Sequence, residues 1–209
     1  MEIGFAAPAW NRAGTIAVAA TDEGLLPSAA AVDKATSGAL RRAMEASRFK
    51  GKTGQVLELL APSGVQASRV LLVGAGAANK FDARAAERLA AGVTARLLTG
   101  GETTLTFAVD SPKGAKMKPA ELAAHLALGA QLRSYSFHKY RTKQLDEYQP
   151  TLATVTIGTE DASGAKKAWQ QKRAVADGIF IARDLVNEPP NVMSPQEFAA
   201  RAQALSKLG

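Results

Sequence analysis

The 209-residue sequence has no cysteine, which excludes disulfides, thiolate nucleophiles and cysteine-based zinc sites together and accords with a reducing compartment. It has only two histidines, and aromatic residues make up 6% of the chain. No run of about 18 uninterrupted apolar residues is present, so no membrane-spanning helix is expected. Its start, Met1-Glu2-Ile3, lacks the basic residues and long apolar stretch of a secretory signal. These absences point to a protein made and kept in the cytoplasm. What is present is a globular composition, 46% hydrophobic and 22% charged, in a chain long enough for one sizeable core plus an appendage.

Acidic residues are outnumbered 26 to 19, and the shortage is local. Between Ser111 and Lys143 the residues Lys113, Lys116, Lys118, Arg133, Lys139, Arg141 and Lys143 stand against Glu121 alone, a net of +6. Such a stretch can attract a polyanion, and DNA is a possible partner; the plainer reading is a solvated face beside an apolar core. Within it, Arg133 to Lys143 interleaves Tyr135, Phe137 and Tyr140 with basic residues, which would let bases stack while phosphates are neutralised. Alternatively, the aromatics pack inward where a helix gives way to a loop, and the basic residues meet the helix dipole.

Strand-like runs occur at Thr15 to Ala19, Gln55 to Leu60, Arg69 to Val73, Thr103 to Val109 and Ala153 to Ile157, with a further short one at Glu2 to Phe5. Helical stretches separate most of them, at Ala29 to Ser47, Ala83 to Leu98 and Pro119 to Arg133. Asp82 is placed to cap the second of these and Gly100-Gly101 to end it. The alternation, with near-continuous apolar strands such as Val70 to Val73, predicts an α/β fold with a mixed or mostly parallel sheet and helices on both faces. The body ends near Gly158. A long helix from Ala165 to about Val186 follows and stops at Asn187-Glu188-Pro189-Pro190, because proline neither donates a backbone hydrogen bond nor fits the preceding turn. Ser194, Pro195 and Glu197 then form a capping-box pattern that starts a last helix, with Phe198, Ala202 and Leu205 on one stripe. That stripe either docks back on the body or belongs to a second domain, of which residues from Asn191 onward are the first piece.

Catalytic patterns are sparse. His125 lies on an apolar stripe with Leu122, Leu126, Gly129 and Leu132 and reads as a core or interfacial residue, and His138 follows with no metal-binding spacing. The acidic pairs Asp22-Glu23, Asp146-Glu147 and Glu160-Asp161 fall at turns or element ends, where solvation and capping account for them. Gly74-Ala75-Gly76 sits between a strand and a helix, as a phosphate-cradling loop would, but the third glycine of a dinucleotide fingerprint is replaced by Asn79. Gly51-Lys52-Thr53 imitates the end of a phosphate-binding P-loop, yet Ala46 stands where the upstream glycine belongs and a strand follows.

One segment is distinctive. Ala182-Arg-Asp-Leu-Val-Asn-Glu-Pro-Pro-Asn191, continuing through Ser194-Pro195-Gln-Glu-Phe198-Ala199, resembles the junction segment of leucyl aminopeptidases, the two-metal cytosol aminopeptidase family (M17). Weaker echoes occur in the family's order at Phe49 to Gly54, Arg69 to Gly74 and Tyr135 to Thr142, so the resemblance covers nearly all of the chain. His138 departs from it, standing where many relatives have a more acidic or polar residue.

The resemblance implies an N-terminal domain of macro-like fold over residues 1–160, a connecting helix and Pro-Pro junction over 161–190, and the start of a C-terminal catalytic domain over 191–209. It implies that the complete enzyme is a metalloprotease that removes N-terminal residues from peptides in that catalytic domain. There, two divalent cations, manganese or zinc, activate a bridging water. The family's metal ligands and its Asn-Thr-Asp-Ala-Glu-Gly-Arg signature have no counterpart here, so no catalytic or metal-binding residue and no cofactor is assigned to this chain. The implied partners are its own catalytic domain and, in the full-length enzyme, a homo-hexamer; the fragment is expected to be monomeric and inactive. The resemblance also carries DNA binding, reported for some members, and a macro-like fold raises ADP-ribose as a ligand by fold analogy alone.

Overall fold

In the computed structural model, residues 1–143 and 148–208 are described, and the Asp146-Glu147 pair lies outside them. The strands are β1 (Glu2–Ala6), β2 (Gly14–Thr21), β3 (Gly24–Leu25), β4 (Val56–Leu60), β5 (Ala67–Gly76), β6 (Thr104–Ala108) and β7 (Thr154–Gly158). The helices are α1 (Pro27–Ala35), α2 (Ala39–Glu45), α3 (Ala83–Leu97), α4 (Pro119–Arg133), α5 (Ala162–Asn187) and α6 (Pro195–Ala204), the last followed by a 3-10 turn at Leu205–Leu208.

One sheet in the order β1-β7-β6-β2-β5-β4 organises the body, with β3 paired to β2. The pairs β1/β7, β7/β6, β6/β2 and β2/β5 are parallel, and β4 on β5 and β3 on β2 are antiparallel. β2 lies in the middle and is covered on both faces, which is why its apolar run does not alternate with polar residues. Ile16, Val18 and Ala20 face Ala29 and Val32 of α1 and Leu40 of α2, together with Phe49 and Val70. Ala17 and Ala19 face the larger cluster, where Leu71, Phe107, Val155 and Ile157 of the sheet meet Leu89, Val93 and Leu97 of α3, Leu126 of α4 and Trp169 of α5.

The mixed α/β sheet flanked by helices and followed by a long helix is as expected, and so are the start of α3, where the Asp82 carboxylate accepts the Ala85 N–H at 2.8 Å, and the start of α6, where Ser194 Oγ accepts the Glu197 N–H at 3.2 Å. The reciprocal half of the α6 capping box is replaced by an ion pair, because Glu197 Oε1 lies 2.6 Å from Arg201 Nε.

The single helix expected from Ala29 to Ser47 is two helices. Thr36 Oγ1 bonds back to the Val32 carbonyl at 2.9 Å, and Gly38 adopts φ +82°, turning the chain before α2 begins. Buried Asp33 then accepts both the backbone N–H and the Nε–H of Arg41 at 3.0 Å, tying the second helix to the first.

α3 and α4 approach so closely that glycine is needed between them: a Cβ on Gly129 would lie 2.1 Å from the Glu87 carbonyl oxygen. The same contact brings Glu87 Oε1 to 2.7 Å from His125 Nδ1, so His125 is a partly buried interhelical residue.

Candidate functional site

The two glycine motifs that imitate phosphate loops pack against each other. Gly74-Ala75-Gly76 is the end of β5 and not a loop, which corrects the expected placement. The Gly76 N–H donates to the Gly51 carbonyl at 2.8 Å, and the Gly74 N–H to the Gln55 carbonyl at 2.8 Å. A Cβ on Gly74 would fall 2.0 Å from the Lys52 carbonyl oxygen, and one on Gly51 2.0 Å from that of Thr21. These glycines let three backbone segments meet, and the amide groups a phosphate would need are engaged within the protein.

All seven basic side chains of the 111–143 stretch are exposed. Lys113 and Lys116 lie between β6 and α4, Lys118 precedes α4 and Arg133 ends it. Lys139, Arg141 and Lys143 follow in the segment that leaves the helix, which crosses to the far end of α5. There the Tyr135 hydroxyl donates to Asp184 Oδ1 at 2.7 Å and accepts from Asn187 Nδ2 at 3.0 Å. Its ring lies 5.3 Å from that of Phe180, with the Arg183 guanidinium 5.3 Å from its centroid. Arg183 Nη1 also donates to the Leu132 carbonyl at 2.9 Å, at the end of α4. The interleaved aromatics are therefore divided: Tyr135 is built into the body, Phe137 and Tyr140 pack on each other at 5.9 Å, and Arg141 stacks on Tyr148 at 3.8 Å.

Glu188, at the Pro-Pro junction, is the hub of this region. Its carboxylate accepts from Lys139 Nζ at 2.6 Å, from the Tyr140 hydroxyl and from Arg201 Nη1 at 3.3 Å, and its side chain is only 3% exposed. Donation by Lys139, then by Tyr140, holds the carboxyl at about 2, well below its ordinary value. The same contacts raise Lys139 and Tyr140 above theirs. Tyr135 is raised first by burial and then by its bond to Asp184.

Glu188 was given no role from sequence; its place beside two prolines, facing an excess of basic residues, was the available signal. His138, in the same segment, has both ring nitrogens shielded and without a hydrogen-bond partner among the described residues. α6 buries no residue, and its stripe does not dock on the body: Phe198 is 52% exposed and Leu205 41%.

Among the described residues no three His, Asp or Glu side chains converge as metal ligands would, and no helix is long and apolar enough to cross a membrane. The residues here do not fit a two-metal centre.

The family model for the N-terminal domain of the cytosol aminopeptidase family matches residues 17–144. The chain belongs to the cytosol aminopeptidase family. It is 43% identical over 197 residues to a probable cytosol aminopeptidase of Bradyrhizobium sp., covering 93% of this chain and 39% of that protein. With a probable cytosol aminopeptidase of Rhodopseudomonas palustris it shares 42% over 212 residues, covering 100% of this chain and 42% of the relative. Among solved structures, a mutant tomato leucine aminopeptidase superposes with a TM-score of 0.82 at 22% identity, over 100% of this chain and 42% of that one, a likeness of fold. The bottromycin maturation enzyme BotP, solved in complex with Mn, gives a TM-score of 0.69 at 27% identity, over 94% of this chain and 37% of its own. The chain thus spans about two fifths of the length of the relatives it matches, and it corresponds to the family's N-terminal domain.

Proposed function

We propose that this chain is the non-catalytic N-terminal region of a cytoplasmic leucyl aminopeptidase, and that it shapes access to the enzyme, supports its assembly and stabilises it. The observation that carries the reading is the match of the entire chain to two fifths of a probable cytosol aminopeptidase. In this reading residues 1–160 form the domain, 161–190 the connecting helix and junction, and 191–209 the start of the catalytic domain. Two divalent cations, manganese or zinc, supply an activated water in the catalytic domain. This chain contributes no ligand to them, and its exposed Phe198 and Leu205 are the apolar groups available for contact with that domain.

The test is turnover of a leucyl chromogenic substrate by the 209-residue chain with manganese or zinc added. No hydrolysis above the blank is expected, and reproducible metal-dependent turnover overturns the reading. Light scattering is expected to give a monomer for this chain, which in this reading supports a hexamer held mainly through the catalytic domains; a hexamer of this chain alone would overturn that division.

A second reading, polyanion binding, is favoured by the exposure of Lys113, Lys116 and Lys118 together. Arg133, Arg141 and Lys143 lie towards the other end of α4, about 22 Å along that helix, and the charge of Lys139 is offset by Glu188, so the three lysines carry this reading. Duplex DNA should then bind at low salt and weaken as salt rises, and Lys113→Ala with Lys116→Ala and Lys118→Ala should reduce the salt dependence. Absence of binding at low salt removes this reading.

A further inference from the structure

α6 buries no residue, and among the described residues a single side-chain bond ties it to anything earlier in the chain, from Arg201 Nη1 to Glu188 Oε1 at 3.3 Å. The helix follows a tight local turn, in which the Pro189 carbonyl accepts the N–H groups of Val192 and Met193 at 2.9 Å each. Those bonds shape the turn, but they are made before the helix begins. Arg201 lies seven residues past the Ser194 cap, about 10 Å along the axis, so its contact is the one placed to fix the direction of α6 relative to the body.

The carboxylate that Arg201 reaches is already held. Lys139 Nζ donates to Glu188 Oε1 at 2.6 Å and the Tyr140 hydroxyl donates to Oε2, and neither residue bonds to α6 among the described residues. Closing the Arg201 contact therefore immobilises one arginine and not a glutamate as well, which lowers its entropic cost. The planar guanidinium presents its N–H groups in a fixed fork that suits a carboxylate. The Glu188 side chain is also almost wholly shielded from water, which strengthens the attraction.

We propose that Glu188 is a latch: through Arg201 it holds α6 in one orientation, and the hold depends on Lys139 and Tyr140 in the segment after α4. Resting on the reading that residues 191–209 begin the catalytic domain, Glu188 is then a positioning residue for that domain. A change in the segment after α4 is passed across the junction to it.

The test is the distance between two spin labels on the 209-residue chain, which has no native cysteine to compete for the label. The labels are carried by Lys166→Cys at the foot of α5 and Ala200→Cys on α6, both at exposed positions. Pulsed electron resonance should give one narrow distance distribution for the native junction. Arg201→Met should broaden it. Lys139→Met with Tyr140→Phe should broaden it as well, although neither residue touches α6 with a hydrogen bond. Glu197→Gln removes the 2.6 Å pair that Arg201 makes within α6 and leaves the latch, so the distribution should stay narrow. A circular dichroism melt of each variant shows that the body is folded at the temperature of labelling, and if the double variant does not fold, Arg201→Met and Glu197→Gln decide. A broad distribution in the native sequence overturns the proposal, and so does an unchanged one in Arg201→Met or in the folded double variant. Equal broadening in Glu197→Gln would assign the effect to the helix itself and overturn it too. No readout here involves hydrolysis, so the latch and the aminopeptidase reading can fail separately.

Discussion

Lys139 and Glu188, 49 residues apart in sequence, meet at 2.6 Å, and the same carboxylate takes the hydroxyl of Tyr140 and the guanidinium of Arg201. Three parts of the chain are joined at this point: the segment after α4, the Pro-Pro junction and α6. A positive stretch that invites a nucleic-acid reading is thus partly engaged within the molecule.

The Glu188 carboxyl is depressed in the folded protein, so its stabilisation is fully present above the ordinary carboxylate value and is lost as pH falls through the folded one. The window runs from pH 4.5 down to about 2. Thermal melts by circular dichroism should lose more stability across that window in the native sequence than in Glu188→Gln. Parallel curves for the two proteins would show that the contact adds nothing to folding.

Gly129→Ala places a methyl group 2.1 Å from the Glu87 carbonyl oxygen, and that neighbour is backbone in the middle of a helix. Overpacking of this kind should cost about 1–3 kcal/mol in urea denaturation, and the Glu87–His125 bond should lengthen with it. An unchanged midpoint would mean that the two helices can part without penalty.

His138→Phe should leave stability unchanged or raise it, by up to about 1 kcal/mol. Among the described residues neither ring nitrogen has a partner, so the substitution removes polar atoms that gain nothing from burial. A clear loss of stability in the melt would reveal a hydrogen bond that the imidazole makes in solution.

Asp33→Ala removes the acceptor of the Arg41 N–H at the start of α2 and leaves a buried gap. The loss should be about 1–2 kcal/mol, as for other helix-start acceptors. Arg41→Ala, which keeps the backbone bond and loses only the exposed side chain, should cost less; equal losses would assign the effect to the ion pair.

Periodicity and punctuation carried much of the fold. Asp82 and Ser194 could be read as caps because a capping side chain acts within three residues of its own position. The break at Ser37-Gly38 was not legible, since the residues before and after it share one apolar rhythm and the turn is set by Asp33 reaching Arg41. Gly74 and Gly76 are ambiguous for a similar reason: a glycine spares room for something, and the sequence does not say whether that is a phosphate or, as here, the Lys52 carbonyl and the Thr53 hydroxyl. The junction motif marked its own importance, but Glu188 takes its role from Lys139 and Tyr140, which adjoin it only after folding. Asp110 carries no local signal, because nothing in the sequence reveals that a residue after β6 accepts the N–H and hydroxyl of Ser28 in the first turn of α1.

α5 is a rod of 26 residues whose last buried residue is Ala176. From Ala176 to Val186 it extends about 15 Å, so a tilt of about 10° there would displace the far end by about 3 Å. The bonds from Tyr135 to Asp184 and from Lys139 to Glu188 are made at the end of that lever, where a given restraining force produces the largest torque. The aim of the rod beyond Ala176, and of whatever the chain carries past Pro190, is therefore trimmed by a few side-chain bonds to the end of α4 and the segment after it.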